Sequence, residues 1–219
     1  MKRKDLQWKL DGLQSFETPK VSLEQYRTCS EITASILHTA AQNGDIEGRS
    51  VADLGCGCGQ FAIGAALLNA SSIVGFEIDP DALAICQRNI SSFEFDNSDI
   101  QLVQCDVRQV TEVWRIAEDS ESSSPFDTVL MNPPFGTKNN EGIDMQFLQQ
   151  ALRLADVVYS LHKSSTREHV LKVANRLGAK ATVLANLKFD LPNNYKFHRR
   201  KSVDVEVDFI QFQRVRRLK

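Results

Sequence analysis

The stretch VLMNPPFGTKNN, Val129 to Asn140, sets a carboxamide, two prolines and a phenylalanine directly after an apolar run. Proline locks φ, lacks an N–H and restricts the residue before it, so the run ends in a stiff turn. Stiffness there can serve acceptor geometry. The side-chain oxygen of Asn132 and the main-chain carbonyl of Pro133 can take the two N–H bonds of a planar exocyclic amine. Held so, the amine nitrogen is drawn toward the tetrahedral shape a nucleophile needs. Phe135 can stack on the ring that carries the amine, worth roughly 1–3 kcal/mol for a nucleobase. Asn132, Pro133, Pro134 and Phe135 are the candidate catalytic residues, and no strong base is required among them.

A second stretch, VADLGCGCG, puts Asp53 at the end of an apolar run, followed by Gly55, Gly57 and Gly59. Alternating glycines allow a tight turn and close approach of the backbone to a ligand. A dinucleotide fingerprint would want glycine at position 60, where Gln60 stands. GxGxG suits a smaller adenosyl ligand without a pyrophosphate. Two acids follow in register: Glu77 can accept ribose hydroxyls, and Asp106 can take the exocyclic amine of an adenine. A glycine loop and two acids, each after a successive strand, form an adenosine-binding layout, and S-adenosylmethionine is the expected cofactor. Methyl transfer from its sulfonium is an in-line displacement that mainly needs positioning.

Elements that could position these residues follow from periodicity. Short apolar runs at 50–54, 72–77, 100–105, 126–131 and 157–161 read as strands, separated by helical patterns at 60–69, 80–93 and 144–155. A helix over 166–177 precedes two further strands, KATVLANL and SVDVEVDFIQF, with no long helix between them. Strands alternating with helices give a parallel sheet with helices on both faces. The expected fold is therefore α/β: a Rossmann-like, seven-stranded, mostly parallel sheet of the class I methyltransferase kind, with an antiparallel C-terminal strand. Ligands of such sheets bind beyond the carboxyl ends of the strands. Residues 1–21 read as a poorly packed arm or short helix and 22–219 as one domain. Within that domain, 22–49 read as a helix and lid, and 186–202 as a basic hairpin loop. A helix around 113–118 precedes the exposed loop EDSESSS.

Composition narrows the classes. The 219 residues are 42% hydrophobic, enough for a substantial core. The N-terminus MKRKDLQWKLDG has no apolar stretch of signal-peptide type. Five cysteines with no CxxC pair support neither a disulfide framework nor a metal site, and a reducing compartment is expected. The net charge of −2 divides into +5 over residues 195–219 and −7 elsewhere. Such a basic block meets nucleic acid or is a solvated tail.

NPPF matches the [DNS]PP[YFW] signature of amino methyltransferases in the seven-stranded class. Together with LEQYRT, VADLGCGCG, GFEIDPDAL, QCDV, YSLHKSSTREHV and FDLPNNYKFHRRKSVDVEVD, it resembles the methyltransferase-like 5 family. These eukaryotic enzymes N6-methylate one adenosine of small-subunit (18S) ribosomal RNA. The resemblance spans about Leu23 to Phe212. It implies S-adenosylmethionine as cofactor, with Gln25, Thr28, Gly55, Cys58, Gln60, Glu77 and Asp106 lining its site. It also implies a small zinc-binding activator subunit, the tRNA methyltransferase 112 homologue, forming a heterodimer, and residence in the nucleus, nucleolus included, and the cytoplasm. An apolar edge at the third strand gives such a partner a place to pair. Two departures stand out: Glu77 where relatives often carry aspartate, and Arg27 where EQYPT is expected, which should leave the lid less rigid.

Candidate RNA contacts are Lys138, His162 and Lys163 near the pocket mouth, and the hairpin residues Lys196, Phe197, His198, Arg199, Arg200 and Lys201. Aromatics interleaved with cations can stack on bases and neutralise phosphates. One rival is a methyltransferase acting on a glutamine side-chain amide of a protein, which presents the same two N–H bonds; another is a non-catalytic scaffold binding S-adenosylmethionine or RNA, against which the intact NPPF speaks; DNA adenine is a weaker third.

Overall fold

The computed structural model describes residues 1–95, 99–114, 124–136, 140–192 and 202–215. Strands β1 (Ser50–Leu54), β2 (Ser72–Glu77), β3 (Asp99–Gln104), β4 (Phe126–Met131), β5 (Ala155–Lys163), β6 (Ala179–Pro192) and β7 (Ser202–Arg214) form one sheet in the order β3-β2-β1-β4-β5-β7-β6. The first five run parallel; β7 is antiparallel to both β5 and β6. Chain order reverses between β1 and β4, so their carboxyl ends flank the switch point where open α/β sheets bind ligands.

Alternation along each strand divides the core in two. Val51, Ile73, Leu130 and Tyr159 face one layer; Ala52, Val74, Val129 and Val158 face the other. Helices α1 (Arg3–Asp11), α2 (Ser30–Gln42) and α3 (Gln60–Leu67) cover the first face. Helices α6 (Ile143–Leu154) and α7 (Arg167–Arg176), with the single turn α5 (Val110–Val113), cover the second. Helix α4 (Pro80–Ser91) packs along β2 and β3; Asp79 caps it by accepting from the Asp81 N–H (3.1 Å), and Pro80 sits in its first turn.

Three expectations change. Residues 1–21 contain the short helix, but it is well packed rather than a loose arm: α1 buries Leu6 and Leu10 completely, and Leu13 follows them into the core. Apolar side chains at i, i+4 and i+7 suffice for one buried stripe even in a strongly charged helix. The next helix starts at Ser30 rather than near Ser22; after Glu24, which is left-handed (φ 50°), residues 25–29 form a strap without regular secondary structure. The turn α5 ends at Val113, and most of the helix expected around 113–118 lies outside the described residues. Strand β6 runs on to Pro192, so pairing with β7 takes up residues 186–192 of the expected loop. Register places Lys163 opposite Val207, so the β6–β7 ribbon extends about five residues past the end of β5. That overhang, roughly 17 Å, lies at the carboxyl end of β5.

Candidate active site

Between the glycine loop and the turn after β4 lies a cavity of about 210 Å³. Gly55, Gly57, Glu77 and Asp106 line it from the β1–β3 side, Asn132 and Pro134 from β4, and Gln25 from the strap. Gly55, Gly57 and Gly59 all have positive φ (71°, 52° and 91°). At Gly59 a Cβ would also stand 2.6 Å from the buried Cys86 sulfur, so the third glycine is required by packing as well as by conformation.

Glu77 is buried, and burial raises its pKa. Its carboxylate accepts from the N–H groups of Gly57 (2.9 Å), Ile78 (2.9 Å) and Asp79 (3.0 Å). A carboxylate offers about four lone-pair sites, so one remains for a hydroxyl. Glu77 therefore shapes the glycine loop as well as facing the cavity. Asp106 faces the cavity with its carboxylate held by Arg108, whose Nε donates at 2.8 and 3.0 Å and whose Nη2 approaches more closely still. The guanidinium lowers the Asp106 pKa.

Asn132 carries the most telling geometry. Its Nδ2 donates to Thr28 Oγ1 at 2.9 Å, while its Oδ1 is buried and has no partner among the described residues. A buried acceptor without a partner is costly and calls for an explanation; a ligand donor is one. Pro133 is buried behind it.

Other expected site residues support the cavity from outside its wall. Asp53 is wholly buried; its Oδ2 accepts from the Ala62 N–H (2.9 Å) at the start of α3, and burial pushes its pKa up to about 7. The Cys58 carbonyl accepts from Asn89 (2.9 Å), and burial pushes its thiol up to about 12. Gln60 is buried beneath the strap: with its oxygen toward the Arg27 guanidinium, its nitrogen donates to the Thr28 carbonyl (2.9 Å) and to Thr33 Oγ1 (3.0 Å). Thr28 touches Asn132 and does not reach the cavity wall.

Three expectations are corrected. Phe135 does not face the pocket; it is 8% exposed and packs against Tyr26 and Phe189, with ring centroids 5.6 and 6.3 Å away. The aromatic surfaces that do line the cavity are Phe16, Tyr26 and Phe147. His162 is fully buried between Ser160 (Nε2 to Oγ, 2.9 Å) and Asp144 (Nδ1 to Oδ2, 3.4 Å), so it cannot touch RNA. Arg27 stiffens the strap rather than loosening it, since its guanidinium donates to the carbonyls of Leu10 and Leu13 that end α1, and to Ser30 Oγ. Lys163 is half-buried at the end of β5; Lys138 and Lys196–Lys201 lie outside the described residues.

Sequence reasoning missed the strap's own bonds. Lys20 Nζ bridges Asp79 (2.6 Å) and Asp81 (2.7 Å), Gln25 donates to Asp79 (2.6 Å), and Asn140 donates to the Ser22 carbonyl (3.0 Å). Partners 54 to 118 residues apart leave no local signal.

Residues 28–157, more than half the chain and spanning both motifs, match the methyltransferase small domain. The chain belongs to that methyltransferase family. Its cofactor is S-adenosylmethionine, which supplies an electrophilic methyl group when bound. Glu77 and Asp106 line the cavity together with Gly55 and Gly57, and would hold the adenosyl part. Full-length relatives are similar throughout. The Danio rerio rRNA N(6)-adenosine-methyltransferase METTL5 is 51% identical over 97% of this chain and 99% of its own. The Caenorhabditis elegans rRNA N(6)-adenosine-methyltransferase metl-5 is 42% identical over 95% and 96%. A crystal structure from Pyrococcus horikoshii is 34% identical, covers 99% of both chains and superposes with a TM-score of 0.83.

Proposed function

We propose that this methyltransferase modifies N6 of an adenosine in ribosomal RNA, and specifically in small-subunit (18S) RNA. The observation that carries the reading is Asn132, which lines the cavity that Glu77 and Asp106 share and whose side-chain oxygen is buried and has no partner among the described residues. In this reading it accepts one N–H of an exocyclic amine, and the carbonyl of Pro133, pinned between two rings of fixed φ, is the second acceptor. Asn132 and Pro133 hold the amine; the strap and Pro134 wall it from water. Full-length similarity to rRNA adenosine methyltransferases supports a nucleobase over a protein amide.

The β6–β7 overhang extends beyond the sheet on the side of Asn132, a fitting place for a basic tip to meet RNA phosphates. A small zinc-binding subunit pairing with the β3 edge belongs to the proposal: β3 has one neighbour in the sheet, and Ile100, Leu102 and Val103 are only half-buried there. Residence in nucleus, nucleolus and cytoplasm follows if the substrate is nascent or mature ribosomal RNA.

The test is mass spectrometry of rRNA nucleosides after incubation with the protein and S-adenosylmethionine. N6-methyladenosine should appear with the native chain and vanish with Asn132→Ala, while affinity for S-adenosylhomocysteine stays within about twofold. Undiminished methylation by that variant overturns the reading.

A further inference from the structure

We infer that Glu24 supplies, on the acceptor side of the cavity, the negative charge toward which positive charge moves during methyl transfer. The inference rests on the proposed reaction, transfer to a neutral exocyclic amine, and adds a group that favours it. In that displacement the bond from the methyl carbon to sulfur breaks and its electron pair stays on sulfur. A new bond forms from the amine lone pair to the carbon. The positive charge that began on sulfur ends on the amine and its ring, until the nitrogen gives up a proton to water. An acid equally near both centres would change nothing, since it would stabilise ground state and transition state alike. An acid nearer the acceptor speeds the transfer.

Three acids line the cavity among the described residues: Glu77 and Asp106, which follow β2 and β3, and Glu24 at the head of the strap. Neighbouring strap residues face opposite ways. Gln25 reaches back to Asp79, between β2 and α4 (2.6 Å). The residues on either side of it face the turn after β4. Tyr26 packs on Phe135, and a Glu24 carboxylate oxygen lies 3.3 Å from Asn140 Nδ2, in the connection from that turn to α6. The same Nδ2 donates to the Ser22 carbonyl (3.0 Å), an atom that can only accept, so the Asn140 amide keeps its donor end toward the strap. Two penalties meet at Glu24. The residue is only 7% exposed, and its backbone is left-handed (φ 50°) where its N–H closes a turn onto the Val21 carbonyl (3.1 Å). Glycine would take that backbone without strain and would bury nothing ionisable. Strain of this kind at a cavity wall points to a use for the side chain, and a carboxylate facing the acceptor side has one.

The experiment compares Glu24→Gln, which keeps an oxygen for Asn140 and removes the charge, with Glu24→Asp, which keeps the charge on a shorter arm. Single-turnover methylation of rRNA at saturating S-adenosylmethionine gives the rate. Calorimetry with S-adenosylhomocysteine gives cofactor affinity, and thermal unfolding gives stability. Moving a unit charge a few ångströms nearer a carboxylate, at the effective dielectric of a protein site, changes a rate by about 3- to 10-fold. Glu24→Gln should slow methyl transfer by that factor, with cofactor Kd and RNA KM within about twofold of native. Its melting temperature should be no lower, because a carboxamide is buried more readily than a carboxylate. Glu24→Asp should be faster than Glu24→Gln although it fits Asn140 less well; a residue that only held Asn140 would give the reverse order. Should Glu24→Gln not fold, Glu24→Asp against Glu24→Asn asks the same question at the shorter length. A native rate in Glu24→Gln overturns the proposal, as does the reverse order, or a defect wholly accounted for by weaker binding of cofactor or RNA. Product analysis keeps the two levels apart. If the native chain forms no N6-methyladenosine, the proposed function fails and this inference with it; if it does, and Glu24→Gln is as fast, only the role of Glu24 fails.

Discussion

Arg108 lines the proposed cofactor cavity beside Asp106. Its guanidinium donates through Nε and Nη2 to the Asp106 carboxylate, which is the group expected to take the adenine amine of the cofactor. Both side chains face the cavity, Arg108 55% exposed and Asp106 19%. On this reading the arginine occupies in cis the acceptor proposed for the adenine amine, and the cofactor would have to displace it. Arg108→Ala should consequently tighten binding of S-adenosylhomocysteine. An ion pair this exposed contributes only about 0.2–1 kcal/mol, so affinity should rise by about 1.4- to 5-fold and no more. Screening provides a second axis. Salt weakens the native pair, so raising ionic strength from about 0.05 to 0.5 M should close most of the gap between native and variant. The sign with pH is also set. Arg108 lowers the Asp106 pKa, so the pair is present above the ordinary carboxylate range and lost as pH falls through the lowered value. The variant's advantage should persist at neutral pH and disappear in acid. Isothermal calorimetry at two salt concentrations reads all of this. Weaker binding by Arg108→Ala would refute the reasoning and make Arg108 a ligand contact; equal affinity at low salt would show that displacing the arginine costs nothing.

Two further outcomes follow from buried groups. Burial raises the Asp53 pKa to about 7, so between roughly pH 4 and 7 the unfolded chain releases a proton that the folded chain keeps, and stability falls across that window as pH rises. Asp53→Asn should abolish this slope, of order 4 kcal/mol in all, with its advantage over native growing up to pH 7 and then level; a pH-independent difference in urea titrations would contradict it. His162→Ala leaves Ser160 and Asp144 without a shared partner and should cost about 1–3 kcal/mol in the same titrations, while the salt slope of RNA binding stays native; a flattened slope would restore His162 as an RNA contact.

The sheet was legible because its signals are local. Alternation and turn residues mark seven strands, and the switch point between β1 and β4 places both motifs without further information. Glu77, Asp106 and Asn132 reach the cavity because each ends or follows a strand there. What sequence could not supply is which partner a side chain finds across the fold. His162 looks like an exposed loop residue until α6 delivers Asp144 to it. Arg27 looks like a lost proline until the end of α1 supplies carbonyls that a proline could not have bound. Leu23 and Tyr26 keep near-helical spacing with Ile36 and Leu37, yet Tyr26 packs on Phe135 and Phe189 instead of a helical neighbour. Periodicity reads a stripe; it does not say whether the stripe is continuous chain or two segments meeting a third.

Phe135 shows what that packing accomplishes. A stacking ring was expected there, but the ring is anchored between Tyr26 of the strap and Phe189 at the base of the β6–β7 ribbon. The turn after β4 is therefore held from three sides: by its own prolines, by the N-terminal strap through Thr28 and Tyr26, and by the C-terminal ribbon through Phe189. Two acceptors that must stand still need such bracing, because rate in a displacement of this kind depends on fixed approach and each loose torsion would have to be ordered at the moment of reaction. The aromatic clasp also ties the proposed RNA-facing ribbon to the proposed amine-holding turn. A ribbon that shifts on meeting RNA must move Phe189, and through Phe135 it acts on the two residues before it, Pro133 and Pro134, that aim the acceptors.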